Sequence, residues 1–273
     1  MFKLMLENVR KTAPLIHSIT NYVTANDCAN ALIACGAAPV MADDAAEVED
    51  ITSLCGGLVI NIGTLNQETI ASMFLSGQKA NELDLPIVLD PVGAGASALR
   101  TQTANKLLDQ IQFTVVRGNS SEIKTLAEGW GTTRGVDADM ADVISESNLD
   151  GAIGFAKKFA EKQSAVIVIT GAIDIVAAAD RAFVIRNGHP MMGNITGSGC
   201  MLSAITAAFL AANPHQALEA TVAAVCAMGL CGELAFAGLK AGDGNATYRN
   251  RLIDEIYNLD GVKLARGARY EMR

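Results

Sequence analysis

Residues 187–213 read NGHPMMGNITGSGCMLSAITAAFLAAN. Inside this stretch Gly197, Ser198 and Gly199 end a polar loop and break directly into a charge-free, Ala-rich run. A glycine turn opening a buried helix is the natural reading. The first amides of a helix lack partners within it, and the helix dipole is positive there. Glycines let the backbone approach an anion closely. Cys200 falls on the first turn, a position expected to lower a thiol pKa. Read alone, a Gly-x-Gly pair is a weak signal and also fits an ordinary loop-to-helix junction with a buried cysteine. The rest of the chain decides between the two.

Working outward, short apolar runs bounded by turn residues alternate with helical patterns. Strands are expected at 14–19, 38–41, 57–62 (GLVINI), 86–90 (PIVLD), 113–117 and 165–170 (AVIVIT). Runs 175–179 and 182–185, separated by Asp180 and Arg181, predict a hairpin. Helices are expected at 2–11, 24–35, 47–54, 66–83, 101–110, 119–128 and 148–162, then at 199–212, 215–239 and 245–259. The polar, Gly- and Asp-rich stretch 129–142 reads as a mobile loop. No internal repeat and no Pro/Gly/Ser-rich linker interrupts the pattern. Alternating strands and helices imply βαβ units, hence one α/β/α domain over 1–273 with a mostly parallel central sheet.

Composition narrows the function. Half of the residues are hydrophobic, aromatics are 5% and the net charge is −8. Without clustered Lys and Arg, a nucleic-acid surface is not expected. The first residues, MFKLMLENVRK, carry scattered charges and no apolar signal core. The longest charge-free runs fall short of the roughly 20 residues that span a bilayer, so no membrane partner is expected. The six cysteines form no CxxC pair, and no His stands at a zinc spacing. A reducing cytoplasm with free thiols is the economical reading.

In parallel α/β sheets, ligands bind beyond the carboxyl ends of the strands. Residues in that position here are Asn21, Met41, Gly63-Thr64, Asp90, Arg117-Gly118-Asn119 and Thr170-Gly171. Asp90 and Glu122 can serve Mg²⁺, which takes a carboxylate or two together with phosphates and water. Arg117 can fork onto a phosphate, Thr170 supplies a hydroxyl, and the 197–200 turn supplies amides. Together these are the parts of a phosphoryl-transfer site. Each has a plainer reading. Asp90 can cap a turn, Glu122 can be a first-turn acid, and Met41 can fill a core. No Walker A pattern is present, and Gly93-Ala94-Gly95 lacks the rest of a dinucleotide fingerprint. His17, His189 and His215 are scattered and read as structural or exposed.

The segments HSITNYVTANDCANALIACGAAPVMADD, NIGTL, LDPVGAGAS, VVRGNSSEI, ITG and NGHPMMGNITGSGCMLSA follow one another in this order. In that order they resemble the hydroxyethylthiazole kinases of the ribokinase-like superfamily. The resemblance runs from about residue 17 to about residue 210. It implies ATP- and Mg²⁺-dependent phosphorylation of the alcohol of 4-methyl-5-(2-hydroxyethyl)thiazole, a salvage step toward thiamine. It also implies that Met41, Gly197 and Asn21 line the thiazole pocket and that Arg117 and Thr170 bind ATP phosphates. Asp90 and Glu122 would organise Mg²⁺, and Cys200 would stand where related kinases carry an Asp base. It further implies a homotrimer with active sites between neighbouring subunits. Ser198, Asn194 and Ala172 depart from residues common in the family, which more often has Thr, a basic residue and an acid there. Two other readings stay open from the residues. One is a hydroxymethylpyrimidine or pyridoxal kinase, or a nucleotide-dependent hydrate dehydratase, of the same superfamily. The other is a non-catalytic thiazole-binding protein.

Overall fold

The computed structural model describes residues 2–129 and 143–273. The chain opens with α1 (Phe2–Thr12), β1 (Leu15–Ile19), α2 (Ala25–Cys35), β2 (Ala38–Val40) and α3 (Val48–Leu54). It continues through β3 (Gly57–Asn61), α4 (Gln67–Glu82), β4 (Ile87–Asp90), α5 (Ala98–Gln110), β5 (Val115–Asn119) and α6 (Ser120–Glu128). After residue 142 follow α7 (Leu149–Gln163), β6 (Val166–Thr170), β7 (Asp174–Ala177) and β8 (Ala182–Ile185). A short 3₁₀ helix, Pro190–Asn194, precedes α8 (Ser198–Ala212) and α9 (Ala217–Ala237). The remaining elements are α10 (Asn245–Asn258), α11 (Gly261–Gly267) and β9 (Tyr270–Met272).

The nine strands form one sheet in the order β2-β1-β3-β4-β5-β6-β7-β8-β9. Pairing is parallel from β2 to β6 and antiparallel from β6 to β9. The carboxyl ends of β1 to β6 therefore meet at one edge of the sheet. Successive strand residues face opposite sides, and each side carries its own core. Val59, Val88, Val115 and Val166 pack with α1, α2 and the α8–α9–α10 layer. Leu58, Ile60, Ile87, Leu89 and Ile167 pack with α4, α5, α6 and α7. A parallel sheet covered on both faces needs apolar residues at every strand position, which is why these strands read as unbroken apolar runs.

The Ala-rich helices lie in the core. α8 packs against β1, β3, β4 and α9. α9 is long and apolar enough to cross a membrane by composition alone, yet 78% of its most apolar stretch is buried inside the fold. Small side chains allow helix and sheet to approach closely. At the other extreme, α1 has a single apolar face of Phe2, Met5, Leu6 and Val9.

Two expectations shift, and a third goes untested. The strand expected at 113–117 occupies Val115–Asn119, because Gly118 and Asn119 continue the ladder opposite Ile169 and Thr170. The last third is not purely helical: β9 pairs with β8 and extends the sheet. The expectation of a loop over 129–142 lies, from 130 onward, outside the described residues.

Candidate active site

β3 and β4 deliver two polar residues side by side: Asn61 stands opposite Asp90 in the ladder. Both are buried, at 1% and 0% exposure. Asn61 Nδ2 donates to Asp90 Oδ2 at 2.9 Å and to Cys200 Sγ at 3.2 Å. Asn21, beyond the end of β1, donates from Nδ2 to Cys200 Sγ at 3.3 Å and to Asn61 Oδ1 at 3.0 Å. Ser203, one helical turn after Cys200, donates from Oγ to Asp90 Oδ2 at 2.8 Å. The opening of α8 is thus tied to the ends of β1, β3 and β4.

Arg117, on β5, enters from the other side. Its guanidinium donates to Thr170 Oγ1 at 2.7 Å and lies 3.6 Å from Asp90 Oδ1. It also lies directly against Gly199, where an added Cβ would sit 2.5 Å from a guanidinium nitrogen. Arg117, Thr170, Asp90 and the glycine turn are therefore brought together. Gly197 holds a left-handed backbone, φ +85°, and an added Cβ would meet Thr24 Cγ2 at 2.7 Å. Thr24 in turn donates its N–H and Oγ1 to Asn21 Oδ1.

Glu122 is buried, and both of its oxygens accept backbone N–H groups, from Gly93 at 2.8 Å and from Asn119 at 2.8 Å. It completes a capping box with Asn119 at the start of α6. Met41 follows β2 at the sheet edge, is 39% exposed, and stands outside the buried junction. His17 is a structural residue, with Nδ1 at 2.9 Å from Thr52 Oγ1 and Nε2 at 2.8 Å from the Ala42 carbonyl.

Burial dominates the electrostatics. Desolvation pushes the Asp90 carboxyl upward, against the pull of Arg117, Ser203 and Asn61. Desolvation and the neighbouring Asp90 push Glu122 up to about 7, against its two N–H donors and Arg117. Cys200 corrects an expectation. Burial and the Asp90 charge raise its pKa, overriding the hydrogen bonds and Arg117 that favour the thiolate. A helix start acidifies a cysteine only when the sulfur is not also sunk beside a carboxylate.

Asp90 Oδ1 is buried and has no hydrogen-bond partner. It faces the Arg117 guanidinium at 3.6 Å, beyond hydrogen-bond distance, and a hard anionic oxygen so placed also fits a metal cation. Among the described residues no three or more His, Cys, Asp or Glu side chains gather into a metal cage. The donor set suits Mg²⁺, which keeps water and combines one or two carboxylates with substrate phosphates.

Asn61, Ser203 and Thr24 were not singled out from the sequence. Asn61 was legible: it is the polar residue ending an apolar strand. Extending that strand to Ile62 moved attention to Gly63 and Thr64.

Asp174, at the start of β7, accepts the Gly171 N–H at 2.9 Å. Desolvation pushes its carboxyl up to about 7, against that N–H and Arg117. A carboxyl whose folded pKa is raised loses stability as pH climbs from its unfolded value, near 4, through the folded one, near 7. Asp174→Asn keeps the acceptor and removes the charge. Its melting temperature is expected to exceed the parent's at pH 8, and at pH 5.5 by about half as much. An equal difference at both pH values would disprove the assignment.

A mostly parallel α/β sheet carrying an acid, a guanidinium and a glycine turn at its carboxyl edge suits the transfer of a phosphoryl group to a small molecule. The Hydroxyethylthiazole kinase family model matches residues 6–261. A hydroxyethylthiazole kinase of Clostridium acetobutylicum is 63% identical over 271 residues, covering 99% of each chain. The solved hydroxyethylthiazole kinase protein of Pyrococcus horikoshii OT3 superposes with a TM-score of 0.88 at 34% identity, covering 100% of this chain and 98% of that one. A pyridoxal kinase of Staphylococcus aureus shares the fold at a TM-score of 0.62 and 16% identity, covering 95% and 97%. The chain belongs to the hydroxyethylthiazole kinase family.

Proposed function

We propose that this enzyme transfers a phosphoryl group from ATP to the hydroxyl of 4-methyl-5-(2-hydroxyethyl)thiazole, a salvage step toward thiamine. The observation that carries this reading is the buried junction of Asn21, Asn61, Asp90 and Cys200 beside Arg117. It lies in a chain 63% identical to a kinase of that name.

Arg117 and Thr170 receive the ATP phosphates, with the amides of the 197–200 turn stabilising charge on the transferring group. Asp90, whose Oδ1 accepts no hydrogen bond, and Glu122, whose oxygens already accept N–H bonds, would hold Mg²⁺ and its waters. Mg²⁺ neutralises phosphate charge when bound. Asn21, Met41 and Gly197 line the thiazole pocket. Cys200 orients the alcohol and assists loss of its proton. Phosphoryl transfer through a loose transition state asks little of a base, so Cys200 assists without being indispensable. Cys200→Ser is expected to fold and keep measurable turnover, within about a hundredfold of the parent. Complete loss in a folded variant would make the thiol essential.

The whole chain works as one domain in the cytoplasm, as a homotrimer with sites between subunits. The exposed apolar side chains Tyr22, Val23, Ile33, Met41 and Leu54, on or beside β2, α2 and α3, support a subunit contact there.

The test incubates the purified protein with Mg-ATP and the thiazole alcohol, with hydroxymethylpyrimidine and pyridoxal in parallel, and reads product by mass. Thiazole phosphate alone is expected. Product from another alcohol would move the substrate. Thiazole binding without any product would favour a binding protein.

A further inference from the structure

We infer that Asn61 is a positioning residue for Cys200, holding the sulfur as a hydrogen-bond acceptor beneath the substrate alcohol. The inference rests on the kinase reading above and extends it to a residue outside the substrate, nucleotide and metal sets.

The argument begins with which way two amides face. Asn61 Oδ1 accepts the Gly63 N–H at 2.9 Å, and a backbone N–H can only donate. The same oxygen accepts Asn21 Nδ2 at 3.0 Å. Asn61 therefore has to turn its NH₂ toward Asp90 Oδ2 and Cys200 Sγ, at 2.9 and 3.2 Å. Asn21 is fixed in the same manner, because its Oδ1 accepts the Thr24 N–H at 3.1 Å. Its NH₂ likewise faces the sulfur, at 3.3 Å.

Flipping either amide would set donor against donor at a backbone N–H, so the orientations are enforced rather than chosen. Cys200 Sγ thus receives two amide N–H groups. Its own proton is excluded from both directions. Asn61 also holds the sulfur at a fixed distance from the Asp90 carboxylate, since one NH₂ serves both. Asn61 is 1% exposed, and its amide is fully engaged by Gly63, Asn21, Asp90 and Cys200. It acts through the sulfur.

The test is a double-mutant cycle on the full-length enzyme with Asn61→Ala, Cys200→Ala and the pair. Turnover is read alongside KM for both substrates. Asn61→Ala is expected to lower kcat about tenfold, with both KM values within about threefold. In the Cys200→Ala background the same change is expected to lower kcat less than about threefold, because the group through which it acts is gone. A merely structural role would lower the melting temperature and the active fraction equally in both backgrounds. If Asn61→Ala does not fold, Asn61→Ser replaces it with the same expectations. Losses that multiply in the double variant, or an unchanged kcat, would overturn the inference with the kinase reading intact. A parent enzyme that phosphorylates no alcohol overturns both.

Discussion

Asp90→Asn is expected to lower kcat by about a thousandfold, close to 4 kcal/mol of transition-state stabilisation, while the enzyme stays folded. Asp90 Oδ2 is engaged by Asn61 and Ser203, and an amide oxygen can accept both bonds. That fixes the new NH₂ at the position of the partnerless Oδ1, facing the Arg117 guanidinium across about the present 3.6 Å. The substitution therefore removes the negative charge at the one oxygen of this pair that accepts no hydrogen bond and places a donor against a donor. Stability responds differently. Burial raises the Asp90 pKa in the folded protein, so its charge opposes folding at any pH above the unfolded value. Losing that charge offsets the loss of the ion pair with Arg117, which keeps Thr170 as a partner. The melting temperature at pH 8 is expected within about 3 °C of the parent. Calorimetry beside steady-state kinetics reads both quantities. A variant with near-parent turnover would remove Asp90 from the metal site.

Gly197→Ala is expected to cost about 2–4 kcal/mol of stability and to lower kcat/KM about a hundredfold. Two effects add. The left-handed backbone at φ +85° penalises any Cβ, and this Cβ would collide with Thr24 Cγ2 at 2.7 Å. Thr24 is short and cannot swing aside without releasing Asn21 Oδ1. Asn21 would then turn away from Cys200 Sγ. Damage at a backbone position thus reaches the sulfur through two side chains. Gly193→Ala, nearby in the 3₁₀ helix, is the internal control, because an added Cβ there meets nothing within 4 Å. The pair should differ in both denaturation midpoint and activity. Indistinguishable behaviour would mean that the turn is looser than its contacts imply.

How much of this was legible depends on what made each feature. β3, β4 and β6 were readable because they are short apolar runs closed by polar or breaking residues, and burial on both faces demands such runs. α4 and α6 were readable from their openings at Asn66 and Asn119, each of which accepts from its helix, whereas α5 starts at Ala98, ahead of the expected 101, because Ser97 caps it. β9 was not, because Tyr270, Glu271 and Met272 carry no strand pattern. Pairing with β8 and the cluster of Arg186, Glu271 and Arg273 make it a strand. Within the site, the strand-end rule led to Asp90, Arg117 and Thr170, because a residue just past an apolar run is placed by local sequence. The raised pKa of Cys200 was hidden, since it depends on burial in the folded core and then on a carboxylate 110 positions away. The partners of Asn61 were hidden for the same reason, coming from β4 and α8.

The packing of α1 beside α11 and β9 bears on how the chain is made. The Phe2 ring sits 4.9 Å from that of Tyr270, and the Lys3 carbonyl lies where a Cβ on Gly261 would come within 2.8 Å. The apolar face of α1 thus finds part of its cover in residues synthesised about 260 positions later. At about 5–20 residues per second, translation leaves Phe2, Met5 and Leu6 partly uncovered for some tens of seconds. The α11–β9 segment is therefore also a guard against aggregation, and a chain cut short before residue 261 would expose the apolar face of α1.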